Sequence, residues 1–162
     1  MCFLIEAETI PFCYTTSMEV VTKNIAETEA FARDFLKKLK PNPKEATVLA
    51  LCGDLGSGKT TFTQYLAKEL GIRNYVTSPT FVIQKRYNCA KNQLFKTLIH
   101  IDCYRLNSGD ELLHLDWEET VHDPDNLIVL EWPERVEEIL PKDRIEIAFE
   151  FVSENERKIT LV

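Results

Sequence analysis

Residues 46 to 60 read Ala46-Thr47-Val48-Leu49-Ala50-Leu51-Cys52-Gly53-Asp54-Leu55-Gly56-Ser57-Gly58-Lys59-Thr60. The first seven form an almost unbroken apolar run, the pattern of a strand buried on both faces. The last eight match Gly-x-x-x-x-Gly-Lys-Thr, a loop whose backbone N–H groups wrap phosphates. In it the lysine reaches the β- and γ-phosphates and the threonine hydroxyl ligates Mg²⁺. Its glycines allow close approach of the backbone and positive φ. A helix is expected from Lys59 to Leu70, capped by Gly71, with its positive dipole end at the same phosphates. A glycine turn with an incidental lysine would need neither the strand before it nor the helix after it. Strand, loop and helix together give the fold class, an α/β phosphate-loop NTPase-like domain with a mostly parallel sheet flanked by helices.

Upstream, Asn24 and Glu27 make a capping box, and Phe31, Phe35 and Leu39 recur every four residues until Pro41, predicting a helix over 25–39. Downstream, Phe81 to Tyr87 and Leu94 to Ile101 are β-rich runs around the polar stretch 88–93, an antiparallel hairpin. Residues 109–121 read as short helical turns carrying Leu112, Leu115 and Trp117. Leu127 to Leu130 reads as a buried strand ending at Glu131. Pro133 suits the first turn of a helix running through Val136 and Ile139 to Leu140. Arg144 to Phe151 alternates, with Ile145, Ile147, Phe149 and Phe151 on one side. Arg157 to Val162 returns across the turn 153–156 and closes the domain as a hairpin.

A chain of 162 residues fits one domain, assigned here to 21–162 after a loosely held N-terminal extension, 1–20. Its 26 acidic against 19 basic residues, net charge -7, argue against a surface that binds nucleic acid by neutralising phosphates. A protein partner or small ligand is the better expectation. Cys2, Cys13, Cys52, Cys89 and Cys103 are odd in number and contain no Cys-x-x-Cys pair, as in a reducing compartment. Met1 to Tyr14 carries Glu6 and Glu8, lacks a basic leader and is too short and polar to span a membrane. A cytoplasmic protein with no membrane association is expected.

Phosphate-loop enzymes need a carboxylate at a neighbouring strand end to hold Mg²⁺ or its waters. Leu98-Ile99-His100-Ile101-Asp102 and Leu127-Ile128-Val129-Leu130-Glu131 are both apolar runs capped by an acid, where ligands bind in α/β sheets. One acid would serve Mg²⁺ and the other would orient the attacking water; the local sequences leave the division open. Thr77-Ser78-Pro79-Thr80 stands where a loop sensing the γ-phosphate would lie, with Thr80 or Ser78 as a hydroxyl ligand; an ordinary Ser-Pro turn is the equal alternative. His100, inside an apolar run, reads as a satisfied core histidine. Trp132 reads either as core or as a binding anchor at the site's edge.

Taken in order, Gly53 to Phe62, Ser78-Pro79-Thr80-Phe81, His100-Ile101-Asp102-Cys103-Tyr104-Arg105-Leu106 and Glu131-Trp132-Pro133-Glu134 resemble the TsaE (YjeE) family, from about Asn24 to Val162. That resemblance implies a bacterial ATPase required to form N6-threonylcarbamoyladenosine in tRNA. It implies TsaB and TsaD as partners, with TsaD carrying the transfer chemistry and ATP hydrolysis resetting the assembly between turnovers. The tRNA would be met indirectly, through the complex. The implied activity is a weak, partner-stimulated conversion of ATP to ADP and phosphate.

By the same resemblance Lys59 holds the β- and γ-phosphates, Thr60 and Glu131 serve Mg²⁺, and Asp102 joins that metal shell. Lys59, Asp102 and Glu131 are the catalytic candidates. Asp54, Leu55, Gly56, Ser57, Gly58, Lys59, Thr60, Thr61, Thr80 and Arg157 are the candidates for binding ATP, and Trp132 for partner contact or nucleotide closure. Asn24 to Thr28 is expected near the nucleotide. Residues 1–20 extend beyond the family's usual start, and Cys103 stands where an aliphatic residue is common. A small-molecule kinase is the competing enzyme reading, disfavoured because no arginine-rich lid stands out. A nucleotide-dependent binding switch is the competing non-enzyme reading, its guanine-specific form disfavoured because no Asn-Lys-x-Asp segment is found.

Overall fold

A computed structural model describes residues 18–89, 92 and 94–162. The order of elements is β1 (Met18–Thr22), α1 (Ile25–Lys38), β2 (Thr47–Cys52), α2 (Lys59–Glu69), β3 (Gln84–Asn88), β4 (Thr97–Asp102), α3 (Gly109–Leu113), α4 (Trp117–Val121), β5 (Asn126–Glu131), β6 (Ile145–Phe151) and β7 (Arg157–Leu161). The strands form one seven-stranded sheet in the order β1-β7-β6-β2-β5-β4-β3. Its centre, β6-β2-β5-β4, is parallel; β7, β1 and β3 add antiparallel flanks. The expected α/β class with hairpin strands is the observed one.

The continuous apolar runs are explained by this position. Leu49, Leu51, Leu98, Leu127, Val129 and Ile147 pack on one face with Phe35 and Leu36 of α1 and Phe62 and Leu66 of α2. Val48, Ile99, Ile101, Ile128 and Leu130 fill the other face with Leu112, Trp117, Val121 and Val136. Phe62 joins the helices to the sheet, its ring centroid 5.9 Å from those of Phe31 and Phe35 and 5.3 Å from that of Phe149. Helix α1 starts where the capping box put it: Asn24 Oδ1 accepts from the Glu27 N–H at 2.9 Å. The Glu27 carboxylate reaches back to the Lys23 N–H at 2.8 Å, one residue further than the usual box.

Several boundaries move. Phe81 to Ile83 are not in the strand: the chain turns after Pro79, Ile83 takes a left-handed φ of 64°, and β3 begins at Gln84. Leu94 to Lys96 precede β4 as loop. The helix expected from Pro133 to Leu140 is two 3-10 turns, Pro133–Arg135 and Glu137–Ile139. Val136 separates them because its side chain is drawn into the core around Trp117, at a non-helical φ of -139°. Phe151 does not join Ile145, Ile147 and Phe149 inside; it is exposed, with the Arg157 guanidinium 4.7 Å over its ring. Met18 to Val20, assigned to the extension, belong to β1 and pair with β7; residues 1–17, including Cys2 and Cys13, lie outside the described residues. Among the described residues no helix is long and apolar enough to cross a membrane.

Candidate nucleotide-binding site

The parallel pairing of β2 with β5, and of β5 with β4, brings three strand ends to one edge of the sheet. The phosphate loop leaves β2 there. Gly53 has φ 132°, and a Cβ on it would lie 2.2 Å from the Phe149 carbonyl oxygen, so this turn admits no side chain. Gly58 has φ 108° and opens α2 without any side-chain cap, which leaves the first N–H groups of an eleven-residue helix for a ligand.

Lys59 donates to the carbonyls of Gly53 at 2.5 Å and Asp54 at 2.9 Å. Its ammonium sits 4.2 Å from the centroid of the Trp132 ring, within reach of a cation–π attraction. Burial holds its pKa below the ordinary lysine value, opposed by the nearby carboxylates of Glu131 and Asp102. Trp132 takes a left-handed φ of 63° directly after β5, a conformation costly for a bulky residue. Its ring packs 5.0 Å from that of Tyr104.

The two strand-end acids are register partners on β4 and β5 and hold different hydroxyls. Glu131 accepts from Thr60 Oγ1, at 2.9 Å to Oε1 and 3.2 Å to Oε2. Asp102 Oδ2 accepts from Ser78 Oγ at 2.7 Å and Thr80 Oγ1 at 2.5 Å, and its Oδ1 accepts from the Tyr104 N–H at 3.0 Å. Exposure is 3% for Asp102, 3% for Glu131 and 4% for Lys59, so these charges lie in a poorly hydrated site, where electrostatic effects are strong.

A cavity of about 360 Å³ unites most of the residues nominated from sequence. The loop and helix contribute Leu55, Gly56, Gly58, Lys59, Thr60 and Thr61; Thr80, Asp102, Glu131, Trp132 and Arg157 complete the lining with Ser78 and Tyr104. Arg157 reaches this place from β7, its Nε 3.7 Å from where a Gly58 Cβ would stand. Asp54 and Ser57 belong to the loop but do not line the cavity. Ser57 Oγ is buried without a hydrogen-bond partner. Asn24 to Thr28 do not line it either; Thr22, just before them, pairs with Arg157. A larger space of about 710 Å³ under α1, between β1 and β2, is mainly apolar and holds none of the phosphate-loop residues.

Two side chains escaped the sequence reading. Tyr104 lines the cavity. His100 is fully buried, but it is not the satisfied core histidine expected: its Nε2 lies 2.8 Å from Glu131 Oε1 and its Nδ1 has no partner. An orphaned buried nitrogen costs about 1–3 kcal/mol. The available signal for His100 was spacing: residues 100 and 102 alternate along β4, so a polar side chain two positions before a strand-end acid shares its face.

Comparison with known proteins points to one family. The family model described as threonylcarbamoyl adenosine biosynthesis protein TsaE matches residues 22–159. The chain is similar to the tRNA threonylcarbamoyladenosine biosynthesis protein TsaE of Bacillus subtilis, 41% identical over 139 residues, 86% of this chain and 81% of the relative. It is also similar to the protein of that name from Rickettsia felis, 35% identical over 144 residues, 88% of this chain and 78% of the relative. Among solved structures, Bacillus subtilis YdiB aligns with a TM-score of 0.71 at 36% identity, covering 90% of this chain and 84% of that one. A phosphate loop, two strand-end acids and a match along nearly all of the described chain lead to one assignment: the chain belongs to the TsaE family.

Proposed function

We propose that this chain binds and hydrolyses Mg²⁺-ATP as an accessory subunit in N6-threonylcarbamoyladenosine modification of tRNA, acting with TsaB and TsaD to reset the complex between turnovers. The observation that carries the ATPase reading is the hydrogen bond from Thr60 on the phosphate-loop helix to the Glu131 carboxylate, with Asp102 beside it in register. The tRNA pathway comes from the family, whose relatives carry it in their names.

The residues present fit a Mg²⁺-nucleotide. Mg²⁺ is typically held through one or two carboxylates and substrate phosphates, with waters completing its shell; here Thr60, Glu131 and Asp102 would hold it. No group of three or more His, Cys, Asp and Glu side chains arranged to hold a metal occurs among the described residues, so the phosphates would complete the site. When bound, the ion supplies charge neutralisation on the β- and γ-phosphoryl oxygens. The rest is the work of the chain. The first N–H groups of α2 and the Lys59 ammonium bind the phosphates, and Thr80 and Ser78 line the same cavity. Trp132, packed against Tyr104, sets its ring on the Lys59 ammonium, and Arg157 adds a positive charge beside Gly58. Positioning and charge stabilisation account for most phosphoryl-transfer catalysis, so neither acid need be a strong base.

The net charge of -7 suits a protein-directed subunit that meets tRNA only through its partners. The cavity lining also carries exposed apolar side chains, Leu55 and Tyr104, which favours contact with another protein beside the nucleotide. A pull-down with TsaB and TsaD in ATP, ADP and no nucleotide tests partner identity and nucleotide control together. Capture that depends on the nucleotide supports the proposal, and no capture in any of the three states removes it.

A further inference from the structure

His100 lies two residues before Asp102 on β4, on the face that meets α2, and the phosphate-binding account makes no use of it. Its register partner on β5 is Val129, so the imidazole reaches diagonally along the sheet to Glu131, the span open to long side chains. Nε2 stands 2.8 Å from Glu131 Oε1. A carboxylate oxygen only accepts, so Nε2 carries the proton and donates. The side chains around it on this face, Leu98, Leu127 and Val129, are apolar. An apolar residue would fill the position without leaving a ring nitrogen bare, as Nδ1 is left.

What the imidazole does is hold the carboxylate. Glu131 Oε1 takes the Thr60 hydroxyl from α2 and the His100 Nε2–H from β4. The terminal torsion of a glutamate is otherwise broad, and two donors on one oxygen fix it. The other oxygen, Oε2, has only the longer 3.2 Å contact with Thr60 and is the one left to act toward the phosphates.

We infer that His100 is a positioning residue that orients the Glu131 carboxylate for hydrolysis, acting through its Nε2–H···Oε1 bond. The inference rests on the ATPase reading of the same site. Removing a side chain that orients a functional ligand typically costs about tenfold to a hundredfold. His100→Leu should therefore lower kcat by roughly that factor, with KM for Mg²⁺-ATP nearly unchanged. His100→Gln, whose amide Nε2 can stand where the ring Nε2 stands, should recover most of the loss; a purely space-filling role predicts the reverse order.

A readout independent of turnover uses nitrogen-15 NMR of the imidazole in the nucleotide-free wild-type protein. A slowly exchanging Nε2–H is expected, and its signal should move in Glu131→Ala. Its absence, or a signal indifferent to Glu131→Ala, overturns the inference even if His100→Leu fails to fold. Equal kcat in wild type and His100→Leu overturns it too, as does a His100→Gln variant no better than His100→Leu. A wild-type chain without Mg²⁺-dependent turnover overturns the ATPase reading first, and the positioning role with it.

Discussion

Glu131 and Asp102 face each other across β5 and β4, yet Glu131 is bonded to the phosphate-loop helix through Thr60 while Asp102 is bonded to the 77–80 loop through Ser78 and Thr80. That division assigns the two acids different consequences when removed. Glu131→Ala should keep ATP affinity within a few-fold and lower turnover by roughly a hundredfold, the cost of losing one well-placed electrostatic group. Asp102→Asn should instead loosen residues 77–80, visible as faster amide hydrogen exchange there. Equilibrium ATP binding and phosphate release on the two variants check this; normal turnover in Glu131→Ala would move the hydrolytic role to Asp102.

Lys59 gives a pH dependence with a defined sign. Because burial lowers its pKa below 10.5, the ammonium needed for phosphate is lost at a lower pH than in a free lysine. ATP affinity should fall as pH rises through that lowered value. In the same window the unfolded chain binds more protons than the folded one, so folding stability contributed by Lys59 should rise with pH. Isothermal titration and thermal melts of wild type against Lys59→Met separate the two trends. Lys59→Ala should abolish productive nucleotide binding at any pH.

The loop glycines should differ in kind. Gly53→Ala pushes a methyl group onto the Phe149 carbonyl, while a Cβ at Gly56 meets nothing within 4 Å. Gly53→Ala should destabilise the fold by roughly 1–3 kcal/mol or more and abolish ATP binding. Gly56→Ala, strained only by its φ of 78°, should cost about 1–2 kcal/mol. Denaturant melts with and without Mg²⁺-ATP distinguish them.

Cys52 closes β2 just before the loop, and burial, with help from Glu146, pushes its thiol up to about 11 from 9.0. The thiolate is the species that reacts, so its alkylation at pH 8 should run roughly a hundredfold slower than that of a free thiol. Iodoacetamide labelling followed by peptide mass spectrometry reads this position directly. Unfolding in denaturant should abolish the protection.

How much of this was legible in the chain differs between elements and contacts. The strand-loop-helix around Gly53 to Thr60 and the acids at 102 and 131 were readable because each is written in a contiguous run. The break at Val136 was not, because it depends on a core position supplied by Trp117 and its neighbours, far away in sequence. The inward pattern of β6 was legible through Phe149 but not at Phe151, which is exposed at the sheet end and carries the Arg157 guanidinium over its ring. His100 was misread for a related reason: its partner, Glu131, lies 31 residues away, and only the parallel register of β4 with β5 brings them together.

The measurement that bears most directly on the central claim is phosphate release from Mg²⁺-ATP by the purified chain, alone and with TsaB and TsaD together. Slow release alone and a marked increase with both partners is the predicted result, lost in Glu131→Ala. Release that is unchanged by the partners would contradict the account.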